Sequence, residues 1–203
     1  MGLNRGVLKR DAKLALKDNW GTMVVIVLLQ YLIVAALNFI PMINMVSFLI
    51  LPGLSLGITM CSLKVARKEQ VGVPNMFDGF KYFLKAFGLQ FMIGLYVFLW
   101  SLLLIIPGII ATYRYSLAVM VLADNPELSI SECINRSKEL TSGNKWFIFV
   151  LGLSFIGWSI LTVFTFGIGI LWLLPYINVT TAVLYLYVTG DSSIDNNNGP
   201  ELA

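Results

Sequence analysis

The sequence of 203 residues contains no histidine and only two cysteines, Cys61 and Cys133. Histidine is the commonest general acid–base group and metal ligand in enzymes, so its absence excludes every reaction centre that depends on it. The two cysteines form no CxxC motif and have no metal-site spacing. We therefore predict no catalytic residues, no metal site and no cofactor, and we expect a protein that is not an enzyme.

Charged residues are scarce as well, at 12% of the chain, whereas 58% of the residues are apolar and the mean hydropathy is +0.81. A soluble domain usually carries about twice that share of charge. The apolar residues are also collected into long runs, which a soluble core of this size cannot hide. This composition indicates an integral membrane protein.

The net charge of +3 comes from basic residues that flank the apolar runs. Thirteen of the fourteen basic residues form three groups: Arg5, Lys9, Arg10, Lys13 and Lys17; Lys64, Arg67, Lys68, Lys81 and Lys85; and Arg136, Lys138 and Lys145. Basic loops beside membrane helices mark the cytoplasmic side. That rule explains the pattern, so we expect no nucleic-acid partner.

Six apolar segments have about the 17 residues or more that a spanning helix needs, namely 20–38, 42–63, 87–106, 107–123, 146–166 and 167–188. The connections within each successive pair are short and uncharged, which predicts three hairpins that enter from the basic side. Both termini are then cytoplasmic, and both cysteines are expected to be reduced. Residues 38–41 offer no small-residue cleavage site, so the first helix is expected to be retained rather than removed as a signal peptide.

Each hairpin is preceded by a segment of mixed polarity, at 7–19, 75–86 and 129–142. The apolar residues expected on one face of each segment are Leu8, Ala12, Ala15 and Leu16; Phe77, Phe80, Phe83, Leu84 and Phe87; and Ile130, Cys133, Ile134 and Leu140. Ser129 and Glu132 have capping-box spacing, and Gly143 suits the other end of that helix. These patterns predict an amphipathic interfacial helix before every hairpin.

The fold class predicted is therefore all-α: a polytopic helical membrane protein with about six transmembrane helices, arranged as three hairpins, each preceded by a cytoplasmic amphipathic helix. We expect a single membrane domain over 1–190, with pseudo-repeats at about 7–66, 75–125 and 129–188, and a disordered tail at 191–203. Chance similarity among apolar segments of low complexity is the alternative to a true repeat. Pro52, Pro107 and Pro175 mark kinks, first turns or broken helices, and Gly53 and Gly57 have the GxxxG spacing of close helix contact.

Arg114 is the basic residue that lies inside an apolar run. An arginine at membrane depth normally faces a bundle interior or a cavity, yet no aspartate or glutamate lies within the six segments. Its guanidinium could therefore bind an anion or a lipid headgroup, with Tyr113, Tyr115, Gln90 and Asn178 as neighbours. The structural alternative is an arginine that extends to the interface from a shallow helix.

The residues from Trp100 onward resemble a family of uncharacterised bacterial integral membrane proteins, the domain of unknown function 975. The resemblance lies in Trp-Ser-Leu-Leu-Leu-Ile-Ile-Pro-Gly from Trp100, Leu-Ala-Asp-Asn-Pro from Leu122, and Ser-Lys-Glu-Leu-Thr-Ser-Gly-Asn-Lys-Trp from Ser137. It continues through 153–158 and 161–176 and covers nearly the whole chain. It implies a multi-pass protein of the bacterial cytoplasmic membrane, but it supplies no activity and no site residues.

Two kinds of function fit these observations. The first is a non-enzymatic integral component of the membrane, either a scaffold, a lipid-associated protein, or an accessory or immunity protein. Its partners would be membrane lipids, other membrane proteins or further copies of the chain. The alternative is a small transporter or channel for an anionic or lipid-like substrate that uses Arg114.

Overall fold

The computed structural model describes residues 4–38, 44–165 and 167–191, and every regular element within these ranges is helical. In chain order the elements are α1 Arg5–Leu16, α2 Trp20–Asn38, α3 Asn44–Ala66, the 3₁₀ helix η1 Val73–Tyr82, α4 Phe83–Leu103, α5 Ile105–Arg114, α6 Ala118–Asp124, α7 Ile130–Thr141, α8 Lys145–Phe164 and α9 Ile170–Thr189. The all-α prediction is confirmed. The tail predicted to be disordered lies, from residue 192 onward, outside the described residues.

Four helical segments in the described ranges are long and apolar enough to cross a membrane: Trp20–Leu37, Val73–Leu102, Lys145–Thr162 and Ile170–Thr189. The segment Ile50–Ala66 forms a shorter apolar helix. The protein therefore has the helices of a membrane-embedded chain. The count of six spans and the threefold repeat stay predictions.

The first and third amphipathic helices form where the sequence predicts them. In α1 the residues predicted to lie on the apolar face, Leu8, Ala12, Ala15 and Leu16, are all buried. In α7, Cys133 and Ile134 are buried, and the Ser129 hydroxyl accepts a hydrogen bond from the Glu132 amide at 3.3 Å. The Glu132 carboxylate in turn accepts from the Ser129 amide at 2.7 Å, which completes the capping box.

The second amphipathic segment differs from the other two in its helix type. It forms the 3₁₀ helix η1, in which Met76 and Gly79 are buried. Its phenylalanine and leucine side chains do not pack into the protein core, since Phe77 is 49% exposed and Leu84 is 80% exposed. The buried face of η1 contains Gly79, which has no side chain and so allows the backbone of η1 to contact the backbone of α3.

That backbone contact involves glycines on both elements. A Cβ atom at Gly57 would overlap the Met76 carbonyl oxygen, and a Cβ at Gly79 would overlap the Gly53 carbonyl oxygen. Gly53 itself lies against the ring of Phe80. The close contact predicted from the spacing of Gly53 and Gly57 is therefore present, and its partner is η1.

The fourth predicted span, 107–123, is not one continuous helix. Helix α5 ends at Arg114, and α6 begins at Ala118. In a continuous helix the Ala118 amide would donate to the Arg114 carbonyl, but here it donates to the Tyr115 carbonyl at 3.1 Å. The Arg114 carbonyl accepts from the hydroxyls of Ser137 at 3.0 Å and Thr141 at 3.3 Å instead. The hydroxyls of α7 thus stabilise the break.

Buried side chains are unevenly distributed along the long helices. The core combines residues of α1, α3, α6, α7 and α9, including the fully buried Leu8, Leu54, Leu122 and Leu184. In contrast, residues 28–37, 91–102 and 156–162 contain no buried side chain. We call these three segments the apolar arms, because most of their exposed residues are large and hydrophobic, for example Trp158 at 58% exposure.

Candidate functional site

The backbone of Arg114 has a clear structural role, whereas its side chain has no partner in the described part of the chain. Arg114 is the last residue of α5, and its carbonyl is held by Ser137 and Thr141 as described above. The guanidinium is half-buried, and it makes no hydrogen bond or ion pair with the described residues. An anion-binding role for this group therefore stays a prediction.

The other residues predicted for that site pack on different elements. The ring of Tyr113 meets Phe149 edge-on, with the ring centroids 5.4 Å apart, and the buried Tyr115 lies 5.9 Å from Tyr96. Gln90 on α4 and Asn178 on α9 are half-buried. No hydrogen bond within the described ranges joins either amide to Arg114, and the site made of these residues stays a prediction.

A well-defined cavity lies elsewhere, between α1 and the two helices α8 and α9. Its volume is about 650 Å³. The lining residues are Gly6, Lys9, Arg10, Lys13, Trp20, Trp158, Leu161, Thr162, Thr165, Gly169, Trp172, Leu173 and Tyr176. We call this cavity the α1 groove. It is cationic along α1 and apolar along α8 and α9.

Aromatic rings of α8 and α9 hold the lysines of the α1 groove in place. The ammonium of Lys9 lies 4.5 Å from the ring centroid of Phe155, and that of Lys13 lies 5.8 Å from the centroid of Tyr176. The Tyr176 hydroxyl donates to the Lys9 carbonyl at 3.4 Å, which ties α1 to α9. Cation–π contacts of this kind stabilise the charge only in part, because a ring carries no net charge.

The electrostatics of the α1 groove favour an anion. Burial lowers the pKa of Lys9, and the nearby positive charges of Arg5 and Lys13 lower it further. None of the groove-lining residues is an aspartate or glutamate. Asp11, the acidic residue of α1, contacts Tyr187 at 2.8 Å and Arg10 at 3.4 Å instead. The lysines therefore lie in a region of positive potential that no carboxylate in the lining neutralises.

A second polar cluster joins the ends of three helices around Arg67. The guanidinium contacts the Asp124 carboxylate at 2.6 Å and the Asp191 carboxylate at 2.8 Å. The Tyr185 hydroxyl donates to the other oxygen of Asp124 at 2.9 Å. Burial alone would lower the pKa of Arg67, but the hydrogen bonds to Asp191 and Asp124 raise it above its ordinary value.

This Arg67 cluster was missed by sequence reasoning because its members are far apart in the chain and no motif connects them. The only signal is that charged residues follow the ends of three apolar runs. Because two carboxylates already form ion pairs with the guanidinium, the cluster is suited to joining α3, α6 and α9 rather than to binding a ligand. No group of three or more potential metal-binding side chains occurs within the ranges that the structure covers.

Comparisons with known proteins give a family but no function. No curated protein and no solved structure matches the chain. One family model, described as a protein of unknown function (DUF975), matches residues 1–107 and 102–192. These two segments together span most of the chain, including α1, the apolar arms and the Arg67 cluster. The resemblance noted in the sequence is therefore confirmed, and the chain belongs to the DUF975 family.

Proposed function

We propose that the protein is a non-enzymatic, lipid-associated component of the bacterial cytoplasmic membrane. In this proposal it acts as a scaffold or as an accessory or immunity protein for other membrane components. Its hairpins enter the bilayer from the cytoplasmic side, and both termini stay in the cytoplasm. The six apolar segments of the sequence are the segments that would enter the lipid.

The observation that carries the proposal is the separation of apolar and polar surface along the hairpins. The apolar arms expose residues such as Phe98 at 62% and Leu161 at 59%. The opposite end carries the Arg67 cluster and the polar faces of α1 and α7. Exposed apolar surface of this extent is stable in lipid and prone to aggregation in water. In the proposed arrangement the apolar arms therefore face lipid, and the end with the Arg67 cluster faces water.

The absence of histidine from the chain supports a non-enzymatic role, since the usual proton-transfer group is missing. The basic residues that flank the apolar runs support cytoplasmic termini through the positive-inside rule.

Two measurements test this proposal. The protein should stay in the membrane fraction after an alkaline carbonate wash and should leave it only with detergent. Gly2→Cys and Asn196→Cys variants in intact cells should not react with an impermeant maleimide, but they should react after the cells are opened. Cys61 and Cys133 are buried and should give little background. Reaction of either introduced cysteine in intact cells, or release by carbonate, would contradict the proposal.

A small transporter for an anionic substrate is the alternative that the guanidinium of Arg114 favours, because it has no protein partner among the described residues. Anion flux into liposomes containing the protein would support this alternative if Arg114→Leu abolished it. Arg114→Lys should restore only part of such flux, because lysine lacks the planar five-donor group of arginine. Equal flux with and without the protein would exclude the alternative.

A further inference from the structure

The α1 groove has the size and shape of a site for an amphiphile. Its volume of about 650 Å³ falls within the range of roughly 300–1,000 Å³ that is usual for small-molecule sites. An inorganic ion would leave most of that space empty. The groove also has two chemically different parts, which a purely polar or purely apolar ligand would not match.

The polar part is formed by Lys9 and Lys13 on one face of α1. Both side chains point over aromatic rings, and neither has an ion-pair partner within the described ranges. The positive charge is therefore concentrated on one face of α1, next to the apolar surface. A phosphate group placed there would form charge-assisted hydrogen bonds with the two ammonium groups.

The apolar part begins beside those lysines and follows α8 and α9 toward their connection. Trp158 and Trp172 are 58% and 52% exposed, and Leu161 is 59% exposed, so this wall is accessible from the surrounding medium. Trp158 and Leu161 belong to an apolar arm, so this wall faces lipid if the arms enter the membrane. A lipid could then reach the groove sideways, without leaving the bilayer.

We propose that the α1 groove binds one anionic phospholipid, with its phosphate on Lys9 and Lys13 and an acyl chain along Trp158, Leu161 and Trp172. This inference rests on the proposed insertion of the arms into the membrane. It goes beyond that insertion because it assigns a ligand class, a stoichiometry and the residues for each part of the ligand. Preference for an anionic headgroup follows from the two lysines and from the lack of a carboxylate in the lining.

Native mass spectrometry of the full chain in detergent tests this proposal, with phosphatidylglycerol and phosphatidylcholine of identical acyl chains as probes. One phosphatidylglycerol should bind, more tightly than phosphatidylcholine. Lys9→Gln with Lys13→Gln should weaken phosphatidylglycerol binding roughly thirtyfold, as expected for two lysines near an anionic headgroup. Phosphatidylcholine, whose choline offsets the phosphate charge, should lose less affinity in the variant than phosphatidylglycerol. Glycerol 3-phosphate, which has the phosphate but no chain, should not compete.

The matched control is Lys17→Gln with Lys145→Gln, which removes two positive charges at exposed positions outside the groove. It should change phosphatidylglycerol binding less than threefold. Equal losses in the two double variants would show a general charge effect and overturn the proposal. So would equal binding of the two lipids by the wild type, or competition by glycerol 3-phosphate.

A second measurement does not depend on the lysine variants. Phosphatidylglycerol with brominated acyl chains, added at one equivalent, should quench tryptophan fluorescence. Trp158→Phe with Trp172→Phe should remove most of that quenching, and Trp100→Phe with Trp146→Phe should leave it. The opposite pattern would place the chain elsewhere and overturn the assignment. Release of the wild type from membranes by carbonate would contradict the proposed function instead, whatever these lipid measurements give.

Discussion

Arg67 joins three helix ends through a single guanidinium. It follows α3, and its two carboxylate partners end α6 and follow α9. The Arg67 side chain is 27% exposed, so the ion pairs are only partly screened by water. Removing the arginine would leave two neighbouring carboxylates that repel each other, which costs more than losing the attraction alone.

We therefore expect Arg67→Gln to lower the free energy of unfolding by about 2 kcal/mol, less than for a fully buried pair. Arg136→Gln is the matched control, because Arg136 pairs with Glu139 at 3.2 Å but both side chains are more than half exposed. That control should change stability by less than about 0.5 kcal/mol. Thermal unfolding in detergent measures both variants, and equal stability losses would contradict the role given to Arg67.

The capping box of α7 makes a pH-dependent contribution. Hydrogen bonds from Ser129 lower the pKa of Glu132 below its ordinary value of 4.5. A carboxylate with a lowered pKa stabilises the fold above its ordinary pKa, and that contribution is lost as the pH falls through the lowered value. Glu132→Gln should therefore lose less stability than the wild type on acidification below about pH 4.5. Unfolding temperatures of Glu132→Gln and the wild type across pH 6 to 3 should show this difference, and parallel curves would contradict it.

Single residues were predictable from sequence where the signal is local. The cap at Ser129 and Glu132 and the buried face of α1 both follow from spacing within one helix, and both are confirmed. The Arg67 cluster depends on three chain segments that only the fold brings together. Sequence reasoning chose Arg114 instead, because a charge inside an apolar run is visible without a structure.

At the scale of elements, the contact between α3 and η1 requires glycine at positions 57 and 79, because any side chain there would push the two backbones apart. Gly57→Ala and Gly79→Ala each place a methyl group against backbone atoms that cannot move separately. Overpacking of this kind typically costs about 1–3 kcal/mol. We expect both variants to unfold at clearly lower temperature than the wild type or to fail to fold.

Gly94→Ala in α4 and Gly157→Ala in α8 are the matched controls for that prediction. A Cβ at either position meets nothing within 4 Å. Alanine is favoured over glycine inside a helix, so both controls should be neutral or more stable by up to about 1 kcal/mol. If the four variants behaved alike, the backbone contact between α3 and η1 would not be important for folding.

The elements also show where hydrophobic periodicity fails as a predictor. The spacing of the phenylalanines in η1 does not reveal which residues pack inside the protein, because that position is taken by Gly79 against the backbone of α3. The apolar run at 107–123 predicts one helix, but the hydroxyls of Ser137 and Thr141 hold it open after Arg114. In both cases the deciding partner comes from another part of the chain.

For the whole molecule, the position of α1 would limit how far α8 and α9 enter the bilayer in the proposed arrangement. Tyr176 bonds to Lys9 and Tyr187 bonds to Asp11, so α1 crosses α9 between these two tyrosines. An amphipathic helix of this kind lies in the headgroup region. The ring of Phe155 on α8 lies next to Lys9 of α1. The part of α8 beyond Phe155 would then extend about 15 Å into the hydrocarbon core, which is half of its thickness of roughly 30 Å.

We therefore expect Ile168→Cys, at the turn between α8 and α9, to be protected from impermeant maleimide on both sides of the membrane. A spin label at the same position should report a depth near the bilayer centre. Gly2→Cys should react from the cytoplasmic side in the same preparations. Reaction of Ile168→Cys from the outside would show that α8 and α9 cross the membrane completely. It would also show that α1 does not lie in the headgroup region.

Hairpins that stop at the bilayer centre act as a wedge. They add cross-sectional area to the cytoplasmic leaflet and none to the other leaflet, so the membrane around the protein bends toward the cytoplasm. By the same mechanics, the protein would accumulate where the cytoplasmic leaflet is already convex, such as the rim of an ingrowing division septum. The α1 crossing would thus make this chain responsive to membrane shape as well as to lipid charge.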